Sequence, residues 1–243
     1  MTTLVVGASG ATGINLVEQL LNRGQKVKVI VRSPEKLPKS WINNDLLQII
    51  SASVLELSDK EMSEHVFDCH SIASCLGHNM NWKGIYGQPR KLVTDTTRRL
   101  CNAIKTNNPE SPVRYVLMNT TGNRNRDLNE PISFGQKIII GLLRLLLPPH
   151  VDNEKAADYL RTQIGQNNDF IEWVAVRPDG LTIEEEVTDY EIHPSPTRSA
   201  IFNAGKTSRI NVGHFMTNLI SDDDLWNKWK GQMPVIYNKS SLD

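Results

Sequence analysis

The sequence is short of several things, and each shortage excludes something. It has three cysteines, Cys69, Cys75 and Cys101, and no Cys-x-x-Cys pair. An odd count so spaced excludes a disulfide framework and a zinc site, and reads as reduced thiols on or beside buried strands. His65 and His70 have no partners at ligand spacing, so no metal is expected. Charge of one sign is missing too: 27 Lys and Arg balance 27 Asp and Glu. Proteins that wrap phosphate backbones are usually basic, so nucleic acid is not an expected partner. There is no long hydrophobic run. The most apolar stretch, 138–147, carries Arg144 and is too short to span a bilayer. It stops at Pro148-Pro149 and reads as a buried or partly buried helix, with a membrane-surface contact or subunit interface as the lesser reading. No Pro/Gly/Ser-rich linker, repeat or low-complexity tract divides the chain. A strand that begins almost at Met1 leaves no room for a signal or transit peptide, which makes the cytoplasm the expected location.

What is present is an alternation. Leu4-Val5-Val6 reads as a buried strand, and Ile14, Val17, Leu20 and Leu21 then recur at helical spacing until Gly24. Further strands are expected at 27–31, 47–50, 71–76, 113–118 and 173–176. Between them, Ser58-Asp59-Lys60-Glu61 has the form of a capping box. Helical patterns run from Leu92 to Ile104 and from Ala156 to Ile164. Strands alternating with helices imply a mostly parallel sheet covered on both faces, the doubly wound Rossmann fold of the α/β class. One domain over 1–243 is expected, with a small, less regular C-terminal substrate lobe from about 181. Such sheets bind ligands at the carboxyl ends of their strands, so chemistry is sought in the segments that follow them.

The strongest such segment is Gly7-Ala8-Ser9-Gly10-Ala11-Thr12-Gly13, between the first strand and the first helix. Gly7 permits a tight turn, Gly10 a close approach of backbone to a pyrophosphate, and Gly13 close packing of helix on strand. The free N–H groups of the opening turn then face the phosphates, and Thr12 can add a hydroxyl. Ser9 and Ala11 belong to the same turn. After the second strand, where an NAD site wants a carboxylate for the ribose 2′-OH, the chain offers Arg32, with Lys36 nearby. A guanidinium suits a 2′-phosphate, so NADP(H) is the expected cofactor.

The GASGATG turn, Val31-Arg32-Ser33 and the later Arg177-Pro178 pair resemble the atypical short-chain dehydrogenase/reductases, and within them the NAD(P)H-binding, NmrA-like group. The segment Ser208-Arg209-Ile210-Asn211-Val212 is similar to that group's last strand and helix. The resemblance implies an adenine pocket at Ser53-Val54 and riboses lined by Cys75, Leu76, Gly77 and His78. It sets Asn119 and Thr120 where the family's catalytic Ser or Thr lies, and Arg177-Pro178 beside the nicotinamide. It also implies a Tyr-x-x-x-Lys pair, matched here by Val151-Asp152-Asn153-Glu154-Lys155. The lysine is present and the tyrosine is not. Lys155 can keep a ribose role, Val151 cannot move a proton, and Tyr159 lies a turn beyond Lys155.

These readings lead to two functions. One is a reductase that acts on a small molecule (a quinone, flavin or carbonyl) without the tyrosine, drawing on Thr120, Thr121, His78 or Asp179. The other is a non-catalytic NADP(H)-binding sensor whose protein partner, or second copy in a homodimer, meets the apolar 138–147 helix.

Overall fold

The computed structural model describes residues 1–79 and 81–239. Among the described residues ten strands follow one another: β1 (Thr2–Val6), β2 (Lys26–Val31), β3 (Leu47–Ser51), β4 (Ser71–Ser74), β5 (Val113–Met118), β6 (Ile171–Pro178), β7 (Gly180–Thr182), β8 (Tyr190–His193), β9 (Lys206–Ser208) and β10 (Val235–Asn238). Eight form one sheet in the order β3-β2-β1-β4-β5-β6-β10-β8, while β7 and β9 pair separately. Every neighbouring pair is parallel except β8 against β10 at the edge. The strand order reverses between β1 and β4, which opens the crevice where such sheets bind ligands.

Helices cover both faces: α1 (Ala11–Asn22), α2 (Asp59–Val66), α3 (Trp82–Tyr86), α4 (Leu92–Asn107), α5 (Phe134–Leu146), α6 (Pro148–Tyr159), α7 (Arg209–Ser221) and α8 (Asp223–Trp229). Successive strand residues point to opposite faces. Leu4 and Val6 therefore join Met62, Leu100 and Trp173 in one core, and Val5 joins Leu16, Val29, Phe215 and Trp226 in the other. Each fully buried aliphatic side chain contributes about 1.5–3 kcal/mol, so the run Leu4 to Val6 of β1 stabilises both cores. The capping box forms at α2: the Ser58 hydroxyl accepts from Glu61 N at 3.2 Å, and the Glu61 carboxylate accepts from Ser58 N at 2.7 Å.

The C-terminal segment divides. Strands β8 and β10 extend the main sheet, and α7 packs on α1, with Gln19 Nε2 donating to Ile210 O at 3.1 Å. Among the described residues of this segment, the β7–β9 pair and the irregular stretches 183–189 and 194–205 stand outside that body. The apolar 138–147 helix differs from expectation. It begins at Phe134, and only Ile140 is buried, while Phe134 (79%), Ile138 (51%), Leu142 (50%) and Leu145 (78%) are exposed. The apolar stripe of α5 points away from the sheet rather than into it. Pro148 does not simply stop this helix. It opens α6, where its missing N–H costs no hydrogen bond. Among the described residues no helix is long and apolar enough to cross a membrane.

Candidate cofactor and catalytic site

The glycine turn is built as a cradle. Gly7 has φ +79, and a Cβ there would stand 2.5 Å from the Cys75 carbonyl carbon. A Cβ on Gly13 would stand 2.2 Å from Gly7 O. Side chains at either position would force β1, the β4 exit and α1 apart. Gly10 caps α1 through its backbone: Gly10 N donates to Gly7 O at 3.0 Å, and Ile14 N to Gly10 O at 2.8 Å. The amides of Ala11, Thr12 and Gly13 thus begin the helix without intrahelical acceptors. No acidic side chain occupies that first turn, and among the described residues the buried Thr12 hydroxyl has no hydrogen-bond partner. Free amides, an orphaned hydroxyl and the positive end of a helix dipole fit a pyrophosphate.

Small-ligand sites are usually clefts of about 300–1,000 Å³, and one of 610 Å³ runs from this turn across the ends of β2 and β3. Ser9, Arg32, Ser53, Val54 and Leu76 line it. Glu56 shares its rim. Arg32 is exposed and makes no ion pair or hydrogen bond among the described residues, so its guanidinium is free for a ligand. Lys36 is exposed on a 3-10 turn and does not line this cleft.

At the β4 exit the expected residues take unequal parts. Cys75 packs its backbone on Gly7, but its thiol contacts Met216 Sδ at 4.0 Å and burial pushes its pKa up to about 12. What Cys75 offers a cofactor is backbone. Gly77 is exposed beside it. The His78 side chain is buried, with Nε2 2.8 Å from Asp152 Oδ2. Asp152 also accepts from Val93 N at 2.8 Å and Thr94 N at 3.0 Å, so one carboxylate joins the His78 ring to the first turn of α4. Burial would raise the Asp152 pKa. The hydrogen bonds from His78 and the Thr94 and Val93 groups outweigh it and hold the carboxyl below the usual range. An ionised Asp152 requires a proton on Nε2.

The turn after β5 is locked from both sides. Asn119 N donates to Val176 O at 2.7 Å, and Thr121 N to Pro178 O at 3.1 Å. Asn119 Nδ2 reaches Asn153 O on α6 at 2.9 Å. The Thr120 hydroxyl accepts from Gly122 N at 3.2 Å, which leaves its own proton to donate. The absent side chain of Gly122 makes room here. The point where its Cβ would stand is 3.5 Å from His150 Cε1 and 3.6 Å from Thr120 Oγ1. His150 sits next to Val151, where the resemblance implies a tyrosine, and the sequence reading passed it over. Its Nε2 is 3.5 Å from Glu154 Oε1 and has no hydrogen bond among the described residues. Burial opposes ionisation of Glu154, but His150 and a forked ion pair with Arg144 (2.9 Å) hold its pKa at about 2.

Two expected residues lie elsewhere. Lys155 is exposed, without an ion pair or hydrogen bond among the described residues. A helix advances about 100° per residue, so Lys155 points well over a right angle away from His150 and Asn153, the α6 residues that meet the 119–122 turn. The structure does not bring Lys155 to that turn. Tyr159 packs against the core, where burial raises its phenol pKa, and it takes no place in the turn.

The Arg177 side chain is fully buried, and its donors are all occupied. Nη2 and Nη1 bind the Glu130 carboxylate at 2.7 and 3.1 Å. Nε donates to Met233 O at 2.6 Å, and further bonds reach Asn123 O and Pro194 O. The expectation that Arg177 flanks the nicotinamide is corrected for its side chain, which holds β6 to the 123–130 loop. Pro178 contributes its carbonyl to the same lock.

Solved structures share this architecture. The oxidoreductase YlbE of Lactococcus lactis is 16% identical, with a TM-score of 0.70 over 99% of this chain and 92% of its own. A wide-type short-chain dehydrogenase/reductase from Veillonella parvula, solved in complex with NADP, is 14% identical, with a TM-score of 0.70 over 100% and 96%. At such identities the likeness shows the fold. A chloroplastic protein of Arabidopsis thaliana is 44% identical over 71 residues, 29% of this chain. The match spans a quarter (25%) of that relative's length. The model of the NAD(P)H-binding family matches residues 7–223, from the first glycine of the cradle to the start of α8, and the chain belongs to that family.

Proposed function

We propose that this protein is an NADP(H)-dependent oxidoreductase that reduces a small quinone, flavin or carbonyl acceptor without a catalytic tyrosine. The observation that carries the reading is the pairing of Thr120 and His150 across the space left by Gly122, at the strand end next to the cofactor crevice. When bound, a reduced nicotinamide would supply the hydride, and a proton from this chain's own groups would complete reduction of the acceptor. Thr120 donates a hydrogen bond to the acceptor oxygen. His150, beside a carboxylate that stays charged, delivers the proton and recovers one from water. Ser9, Thr12 and the first amides of α1 hold the pyrophosphate, and Arg32 takes the 2′-phosphate. Ser53, Val54 and Leu76 enclose the adenosine. Asn119, Gly77 and the backbone of Cys75 border the riboses.

The cytoplasm belongs to the same proposal. The free thiols of Cys69, Cys75 and Cys101 suit a reducing compartment. Recovery of the tagged full-length protein in a plastid, the location of the Arabidopsis relative, would overturn it.

The test is NADPH oxidation by the purified protein against quinones, flavins and aldehydes, followed at the nicotinamide absorbance. Turnover is expected to survive Tyr159→Phe and to fall at least about a hundredfold in both Thr120→Val and His150→Gln, the lower end of what proton transfer contributes. Tight NADPH binding with no turnover on any acceptor would favour the second reading, a non-catalytic redox sensor. The exposed apolar stripe of α5 supports that reading as a partner-binding or homodimer face.

A further inference from the structure

We propose that the substrate of this site carries a carboxylate or phosphate, held by Arg124 and Arg198 in the cavity that opens beside Gly122. The inference rests on the oxidoreductase reading above and names the class of acceptor.

The cavity holds 460 Å³ and shares Thr121 and Gly122 with the turn that carries Thr120. It therefore begins where the acceptor's reacting atom would lie and extends away from the cofactor cleft. Its charged lining is lopsided. Arg124 and Arg198 contribute two cations. Neither forms an ion pair with a carboxylate among the described residues. Arg124 Nε is buried with no hydrogen-bond partner there, and Arg198 lies over the Tyr237 ring at 5.5 Å. The one carboxylate on the wall, Glu130, is already neutralised by Arg177 and accepts a further bond from Asn125 N at 2.8 Å. Asp179, near Tyr237, is held by Gly205 N at 2.8 Å. Two guanidinium groups on one concave wall, neither paired with a carboxylate, leave their charge open to an anionic ligand.

The rest of the lining agrees. Ser133 caps α5 by accepting from Gln136 N at 3.2 Å, which brings the positive end of that helix to the cavity wall. Ser199 donates to Gln136 Oε1 at 3.1 Å, and Ile140, the one buried apolar residue of α5, offers a surface for an apolar body. Two guanidinium groups in a concave, partly desolvated site select oxyanions, because charge-assisted forked bonds match the paired oxygens of a carboxylate or phosphate. A neutral acceptor of the same shape would leave both cations unpaired.

The experiment titrates the full chain, alone and saturated with NADP⁺, with two matched pairs. FMN and riboflavin differ by one phosphate; 4-carboxybenzaldehyde and its methyl ester differ by one carboxylate charge. The anionic member of at least one pair is expected to bind about tenfold tighter or more, as charged hydrogen bonds provide. Which pair shows the preference tells phosphate from carboxylate. Arg198→Gln, at an exposed position that does not threaten folding, should cut that ratio, and adding Arg124→Gln should abolish it. No preference in either pair, no measurable binding of either anion, or a preference that survives the double substitution would overturn the proposal. If NADP⁺ fails to bind while the arginine-dependent preference holds, the cofactor reading falls and the anion site stands.

Discussion

Asp152 holds the His78 ring 2.8 Å from its carboxylate while accepting both Val93 and Thr94 amides at the start of α4. One buried anion thus fixes the β4 exit, α4 and α6 together, and His78 acts as a positioning residue for that junction. The folded-state pKa of Asp152 lies below its ordinary value of 3.8. Its stabilisation is therefore complete above that value and is lost as pH falls below it and through the folded pKa. Asp152→Asn should destabilise by about 1–3 kcal/mol at neutral pH, the cost of leaving a buried donor unpaired. It should also flatten the acid limb of stability. Urea unfolding between pH 7 and pH 3 checks both; equal slopes for the two proteins would remove Asp152 from the junction.

Gly13→Ala places a methyl group 2.2 Å from Gly7 O, a contact no rotamer relieves. A stability loss of about 1–3 kcal/mol is expected from such overpacking, together with a reduced thermal shift from NADPH. Full retention of both would show that α1 can slide without opening the cradle.

A ligand that binds only the folded state raises its melting temperature. NADPH should stabilise the protein more than NADH, and Arg32→Ala should erase the difference while leaving the NADH shift in place. Equal shifts in the unmodified protein would remove the case for 2′-phosphate selection, and Glu56 on the same rim would then be the group to examine.

The Arg177–Glu130 pair predicts an asymmetry. Glu130→Ala leaves a guanidinium buried without its carboxylate and should cost about 3–5 kcal/mol. Replacing the pair by similarly sized apolar residues, Arg177→Met with Glu130→Leu, should cost less than the single change. Denaturant midpoints of the three proteins decide the matter, and a milder effect of the single change would mean the 123–130 loop opens to water.

Local patterns in the sequence carried much of this molecule. Alternating apolar residues and the helical spacing of Ile14, Val17, Leu20 and Leu21 mark the first half of the sheet and its helices, because period and burial are local properties. The cradle was equally legible, since Gly7, Gly10 and Gly13 do their work within one turn. Even the capping box at Ser58 and Glu61 needed only neighbours. Only the tertiary structure could decide the rest. Strands β8 and β10 are short: β10 is placed by pairing with β6, far away in the chain, and β8 by pairing with β10. The stripe on α5 has the spacing of a buried face, and spacing does not say whether anything covers it. Lys155 matches a motif by number, but the rotation of α6 turns it outward and brings His150 to the turn instead. Arg177 matches a motif as well, yet Glu130 claims its side chain from 47 residues away. Contacts between residues distant in sequence depend on how whole elements pack, and no local pattern encodes them.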